Sequence, residues 1–210
     1  RRPVPGNIAR ARREQAVHQP HEYAFARAIG PEEDGRRPGL DAAVLRLRPG
    51  YRGLAVTLDG QSRIGWLDPR IGGELAVLEA ARNVACVGGE PLALTDCLNL
   101  GNPEKPEIGW ELAEAIAGMA AACEALGTPI VSGNVSLYNA TNGRAIHPTP
   151  VVGAVGLVED VRRVPKGWRE GDSLLLAEAS SPSLAGSEYQ ARFGEVGGSP
   201  GPLDLEAESR

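Results

Sequence analysis

Two short apolar runs, Pro91-Leu92-Ala93-Leu94 and Thr128-Pro129-Ile130-Val131, each give way at once to a stretch of Asp, Asn, Gly and Ser. The first continues as Thr95-Asp96-Cys97-Leu98-Asn99-Leu100-Gly101-Asn102-Pro103, the second as Ser132-Gly133-Asn134-Val135-Ser136-Leu137-Tyr138-Asn139. A run of this kind reads as a buried strand. Polarity at the end of a buried strand costs desolvation unless it is paired or binds something. A chain with two such strands is constrained to a sheet whose mouth is one polar pocket.

The segments around these runs alternate between strand and helix patterns. Val44–Arg48 and Leu54–Leu58 read as strands, with Asp59-Gly60 as a turn, and Ile64–Leu67 as a possible third strand. A helix is expected over 71–87, with Leu75, Leu78, Ala81 and Ala85 near one face and Gly88-Gly89 as its stop. A second helix is expected over 107–126, with Ala113, Ile116, Ala117, Ala120 and Cys123 buried and Gly127 ending it. Pro91–Thr95, Thr128–Val131 and Val151–Val158 are the intervening strands. The order β-β-(β)-α-β-α-β-β predicts an α/β domain over 41–160 with a mixed sheet. Residues 1–40, rich in Arg, Pro, Gly and Glu, read as a linker or the tail of a preceding unit, with helices at Ala9–Val17 and Glu22–Ala28. Residues 161–210 read as the start of a second α/β domain. Its first strand is Ser173–Ala177, and helices begin near Ser187 and Leu203. The missing initiator Met and this unfinished second unit lead us to expect a fragment.

Aromatics are only 4% of the chain, so the core has to be built from Ala, Val, Leu and Ile. The net charge of −5 argues against a nucleic-acid surface, and the early arginines (Arg1, Arg2, Arg10, Arg12, Arg13) read as a solvated tail. No apolar run approaches the ~18 residues of a membrane span. Cys86, Cys97 and Cys123 follow no zinc or disulfide spacing and fit a reducing cytoplasm. Cys86 and Cys123 read as small core residues; Cys97, beside Asp96, is a nucleophile only if a base exists elsewhere.

By residue type, Asp96 suits a nucleotide or metal. Asn134 offers an amide oxygen to magnesium, Gly133 lets a backbone approach a phosphate, and Ser136 offers a hydroxyl. No His lies in either run to act as a base. Asn99, Gly101, Asn102 and Pro103 are equally ordinary turn residues, and Asp96 and Ser136 could cap turns. His147 reads as structural, His18 and His21 as solvated, and Glu74 as a charge in the first turn of its helix.

From about Gly53 to Glu188 the chain closely resembles the second half of the phosphoribosylformylglycinamidine synthase (formylglycinamide ribonucleotide amidotransferase) family in its small bacterial form. The stretches that carry this are Gly72–Val77, Ala81–Ala85, Thr95–Pro106, Ser132–Tyr138, Pro148–Gly153 and Gly186–Tyr189. The resemblance implies the fold of the aminoimidazole ribonucleotide synthetase superfamily, in which one half's sheet pairs with the other's. It implies an ATP-dependent ligase of purine biosynthesis that uses Mg2+ and ammonia from a glutaminase subunit, with a small accessory subunit. By motif position, Asp96 and Gly133 would contact ATP, Asn134 would hold magnesium and Ser136 would bind formylglycinamide ribonucleotide. The family's catalytic His and several magnesium carboxylates belong to a first half not present here, so the segment alone is expected to be inactive. The superfamily often has Asp after the helix-motif Asn, whereas Val84 follows Asn83. A cyclising synthetase is disfavoured by the Asp96–Pro103 run; a non-catalytic nucleotide-binding or assembly module is the alternative.

Overall fold

The structure, a computed structural model, describes residues 27–28, 41–165, 167, 170–173 and 183–209. Among the described residues there are eight strands: β1 (Arg27–Ala28), β2 (Ala43–Arg46), β3 (Gly53–Gly60), β4 (Gly89–Asn99), β5 (Ile130–Ser136), β6 (Ala140–Thr141), β7 (Arg144–Ala145) and β8 (Thr149–Val158). The helices are α1 (Ser62–Leu67), α2 (Pro69–Cys86), α3 (Pro106–Leu126), α4 (Glu188–Phe193) and α5 (Leu205–Glu208). Six strands form one sheet in the order β1-β2-β3-β8-β4-β5, and β6 and β7 form a separate small hairpin. β4 and β5 run parallel; the other described pairs are antiparallel. The result is the α/β arrangement of mixed sheet and flanking helices that the element order predicts.

The helix ends follow local chemistry. Asp68 caps α2 by accepting from the Ile71 amide at 3.1 Å, and Pro69 occupies a first-turn position where no amide is needed. Pro106 opens α3 in the same way, and Gly127 closes it at φ 64°, a left-handed conformation that glycine adopts without penalty. The core is aliphatic throughout: Val77, Leu78, Val84, Val87, Leu94, Leu100 and Val152 are almost fully buried. Among the described residues the helices pack on one face of the sheet. On the other face Leu58 is 71% exposed.

Several local expectations are corrected. Ile64–Leu67 belongs to α1, not to a third strand. Arg27–Ala28, expected to end a helix, is paired with β2 as a strand. The helix expected at Ala9–Val17 lies outside the described residues, as does all of the Ser173–Ala177 strand but Ser173. Both polar runs are largely strand rather than loop, because β4 continues to Asn99 and β5 to Ser136. Ladder hydrogen bonds use backbone groups only, so β4, flanked by β8 and β5, continues through its polar residues, and the edge strand β5 follows it in register. Glu74 sits in the second turn of α2, not the first. It is buried and paired with Arg70 at 3.4 Å. Cys86 and Ala85 are exposed, since α2 turns its last buried contacts through Val84 and Val87.

The face of α3 is the main surprise. Its buried residues are Ile108, Ala115, Gly118, Met119 and Ala122, whereas Ala113, Ile116 and Ala120 are exposed. The helix is apolar on more than one side, so periodicity leaves the choice open. Close approach to α2 makes the choice. A Cβ added to Gly118 would lie 2.9 Å from the Arg70 carbonyl carbon and 3.2 Å from its Cα, and one on Gly73 would lie 3.2 Å from the Met119 nitrogen. These neighbours are backbone and cannot swing away.

Gly118→Ala is therefore expected to destabilise, although alanine is the better helix former by about 1 kcal/mol. We expect a loss of about 1–3 kcal/mol from overpacking in a urea titration. A neutral or stabilising result would show that the two helices can separate freely.

Candidate active site on the parallel strand pair

The parallel pairing of β4 and β5 brings the two polar runs side by side. Asp96 is in register with Gly133, Cys97 with Asn134, and Asn99 with Ser136. Alternation along a strand divides them between the two sheet faces. Thr95 and Ser132 share one face, their hydroxyl oxygens 2.8 Å apart. Cys97, Asn99, Asn134 and Ser136 follow on that open face. Leu94 and Leu98 point into the core under the helices, and Asp96 lies between them on the helix side. The four residues singled out in the sequence thus form two pairs. Asp96 and Gly133 face α3; Asn134 and Ser136 face away from it.

On the helix side Asp96 occupies one end of an open groove of about 480 Å³, walled by Leu98 and Ile130 from the sheet and Ile116 and Cys123 from α3. Its carboxylate fills the space above Gly133. A Cβ at Gly133 would lie 2.7 Å from the Asp96 Cγ and 2.9 Å from its carbonyl oxygen, so only glycine fits beside this aspartate. Burial among apolar walls pushes the Asp96 carboxyl above its usual range, and a hydrogen bond from its own backbone partly offsets this. Cys123, half-buried in the same groove, has its thiol pushed up by burial and then by the negative charges of Asp96 and Glu124. A thiol so raised is a poor nucleophile.

On the open face the polar groups divide into engaged and free. The Asn99 amide donates to the Cys97 carbonyl at 3.0 Å and the Thr149 carbonyl at 3.2 Å. Asn102 accepts from the Glu104 amide at 2.9 Å, the turn role that its residue type allows. Ser136 is bonded to Asn139. Asn134 is exposed and makes no side-chain hydrogen bond within the described residues. Cys97 Sγ contacts the Asn99 amide at 3.5 Å. His147 lies edge-on to Trp66 with ring centroids 5.2 Å apart. Its neighbours meet both polar runs: the Ile146 amide donates to the Asn139 carbonyl at 3.3 Å, and Thr149 is in register with Asn99. No group of three or more His, Cys, Asp or Glu side chains among the described residues could hold a metal ion by itself. No helix among them is long and apolar enough to cross a membrane.

A residue that the sequence reading left without a role is Asn139. It is the centre of the hydrogen-bond network at the strand ends. Its only sequence signal is its place at the end of the second polar run.

A family model described as AIR synthase related protein, N-terminal domain, matches residues 39–158. The chain belongs to this family. It is 56% identical over 174 residues to the phosphoribosylformylglycinamidine synthase subunit PurL of Moorella thermoacetica, covering 81% of this chain and 24% of that protein. The chain therefore spans about a quarter of the length of the curated relatives it matches. Among solved structures it resembles Thermotoga maritima PurL complexed with ATP at 33% identity and a TM-score of 0.57, over 72% of this chain and 28% of that one. It resembles the same protein complexed with FGAR at 37% identity and a TM-score of 0.56, over 62% and 21%.

The raised Asp96 carboxyl has a measurable consequence. Its charged form is penalised on folding, so the native protein gains stability as pH falls from neutral through the raised folded-state value. Asn at this position carries no such penalty. Asp96→Asn should melt above wild type at pH 7, and the gap should close as pH approaches about 4, the ordinary range of Asp. Partial exposure keeps the gap small through solvent screening. Melting curves across that range check it, and a variant less stable than wild type at pH 7 would contradict it.

Proposed function

We propose that this chain supplies half of the nucleotide-handling surface of an ATP-dependent carbon–nitrogen ligase. The enzyme would convert formylglycinamide ribonucleotide and ammonia to formylglycinamidine ribonucleotide in cytoplasmic purine synthesis. The observation that carries the reading is the register of β4 against β5. All four residues implied by the family resemblance fall on two neighbouring strands, with Asp96 beside Gly133 and Asn134 and Ser136 on the same strand. The sequence identity to PurL proteins supports the same reaction class.

In this reading Asp96 and the backbone at Gly133 contact ATP. The fit is steric as well as chemical: Gly133 leaves the strand backbone open where any side chain would meet Asp96. Asn134 holds magnesium through its free amide oxygen. Magnesium is commonly bound by one or two protein oxygens together with phosphate oxygens and water, and an unengaged Asn suits one of those places. When bound, the ion spreads the negative charge that develops on the transferring phosphoryl group. Ser136 donates to an oxygen of the ribonucleotide. The glycinamide carbonyl oxygen takes the γ-phosphoryl group of ATP, releasing ADP; ammonia then attacks that carbonyl carbon and phosphate leaves, with the formyl group untouched. The chain's part is to bind and orient.

In this reading the catalytic His and the remaining magnesium carboxylates belong to a first half outside this segment, as the family resemblance implies. The open sheet face, with Leu58 at 71% exposure, suits pairing with that half's sheet. A glutaminase subunit supplies ammonia from glutamine, and a small accessory subunit completes the complex.

Two measurements test this. The 210-residue chain alone should show no ATP- and ammonia-dependent amidine formation, and any turnover would overturn its reading as half a site. In the full-length protein carrying this segment, Asn134→Ala should lower magnesium-dependent kcat by roughly tenfold or more, each decade being about 1.4 kcal/mol. Stability should stay within about 0.5 kcal/mol of wild type, as for an exposed side chain without partners. Unchanged turnover would remove Asn134 from the metal site.

A further inference from the structure

The ends of β4 and β5 are tied together by one side chain. The Asn139 amide nitrogen lies 3.0 Å from the Leu100 carbonyl, 2.9 Å from the Ser136 carbonyl and 3.1 Å from the Ser136 hydroxyl oxygen, to which it donates. Its carbonyl oxygen lies 3.3 Å from the same hydroxyl, which can donate to it. The Asn139 backbone amide donates to the Leu100 carbonyl at 3.1 Å, and the Tyr138 amide donates to the Gly101 carbonyl at 2.9 Å. The chain reaches this position through Tyr138 at φ 61°, an uncommon conformation for a bulky residue. That left-handed step turns the backbone so that Asn139 folds back beneath Ser136.

We propose that Asn139 is a positioning residue for Ser136, fixing the direction in which the serine hydroxyl meets the nucleotide substrate. The proposal rests on the reading of Ser136 as a substrate contact. A hydroxyl has one proton and two lone pairs. The Asn139 NH2 has two protons for three acceptors, so the one turned to Ser136 is shared between its carbonyl and its hydroxyl; that share occupies one hydroxyl lone pair and leaves the hydroxyl proton to be donated. Without ligand the proton goes to the Asn139 carbonyl over the longer contact. An anionic or carbonyl oxygen of the ribonucleotide takes it when bound, and the donor bond from Asn139 remains. Asn139 thus serves the substrate side of the sheet; Asp96 and Gly133 face the other side.

The test uses steady-state kinetics of the full-length protein carrying this segment, with ATP and ammonia, varying formylglycinamide ribonucleotide and ATP separately. Asn139→Ala should raise KM for the ribonucleotide about tenfold, the scale of one lost hydrogen bond, and leave KM for ATP within about twofold. Asn139→Asp has the same size but lacks the donor and adds a negative charge. It should raise the ribonucleotide KM at least as much, and it is the variant to read if the alanine protein fails to fold. Ser136→Ala should raise the same KM, and the Ser136→Ala/Asn139→Ala double variant should be no worse than about twofold beyond the poorer single. A normal ribonucleotide KM in both Asn139 variants, beside a raised one in Ser136→Ala, would overturn the positioning role. So would a strictly additive double variant, or an equal rise in both KM values. If Ser136→Ala itself leaves the KM unchanged, the substrate assignment of Ser136 fails and this inference fails with it.

Discussion

The parallel pairing of β4 with β5 is the constraint on which the rest of this structure depends. Two parallel neighbours cannot be joined by a tight turn; the chain has to cross over the sheet, and α3 is that crossover. The crossover lays α3 over the sheet and against α2, which brings Gly118 against Arg70 and Gly73 against Ala115. It also makes both strands run the same way, so their polar ends emerge together. Antiparallel partners would have put the Asp96 and Gly133 runs at opposite ends of the sheet.

Because the site is built on strands, its residues obey the two-residue alternation of a sheet. Asp96 and Gly133 open toward a groove with apolar walls, and Asn134 and Ser136 toward the face that no described helix covers. A ligand contacting all four has to reach both faces by passing the outer strand, β5. This strand has no second neighbour among the described residues and is exposed along nearly all its length. Exposure of β5 is therefore a condition for the proposed function, and its bare edge is consistent with a partner half closing over it.

Much was legible from the chain itself. The helix stops at Gly88 and Gly127, the aliphatic core, and the two long helices with the strands between them follow from turn chemistry and hydrophobic spacing. The buried face of α3 was not legible. Ile116 and Met119 are equally apolar, and only the approach of a second backbone tells Gly118 and Ala115 from their neighbours. The strand character of Asp96–Asn99 was hidden for a related reason. Sequence reading weighs side chains, whereas strand length here is set by backbone ladders to β8 and β5. Glu74 looked like a helix-end charge because its burial and its pairing with Arg70 depend on where α2 packs.

The sequence by itself determined the family, the residue types of the candidate site and the α/β class, because motifs, composition and periodicity are local properties. Tertiary structure decided which of those residues share a face. It also showed that Gly133 packs against Asp96, and that Asn139 is tied to Leu100. These are relations between segments about forty residues apart or between sheet faces. They exist only once the register of two parallel strands is set, and no spacing along the chain encodes that register.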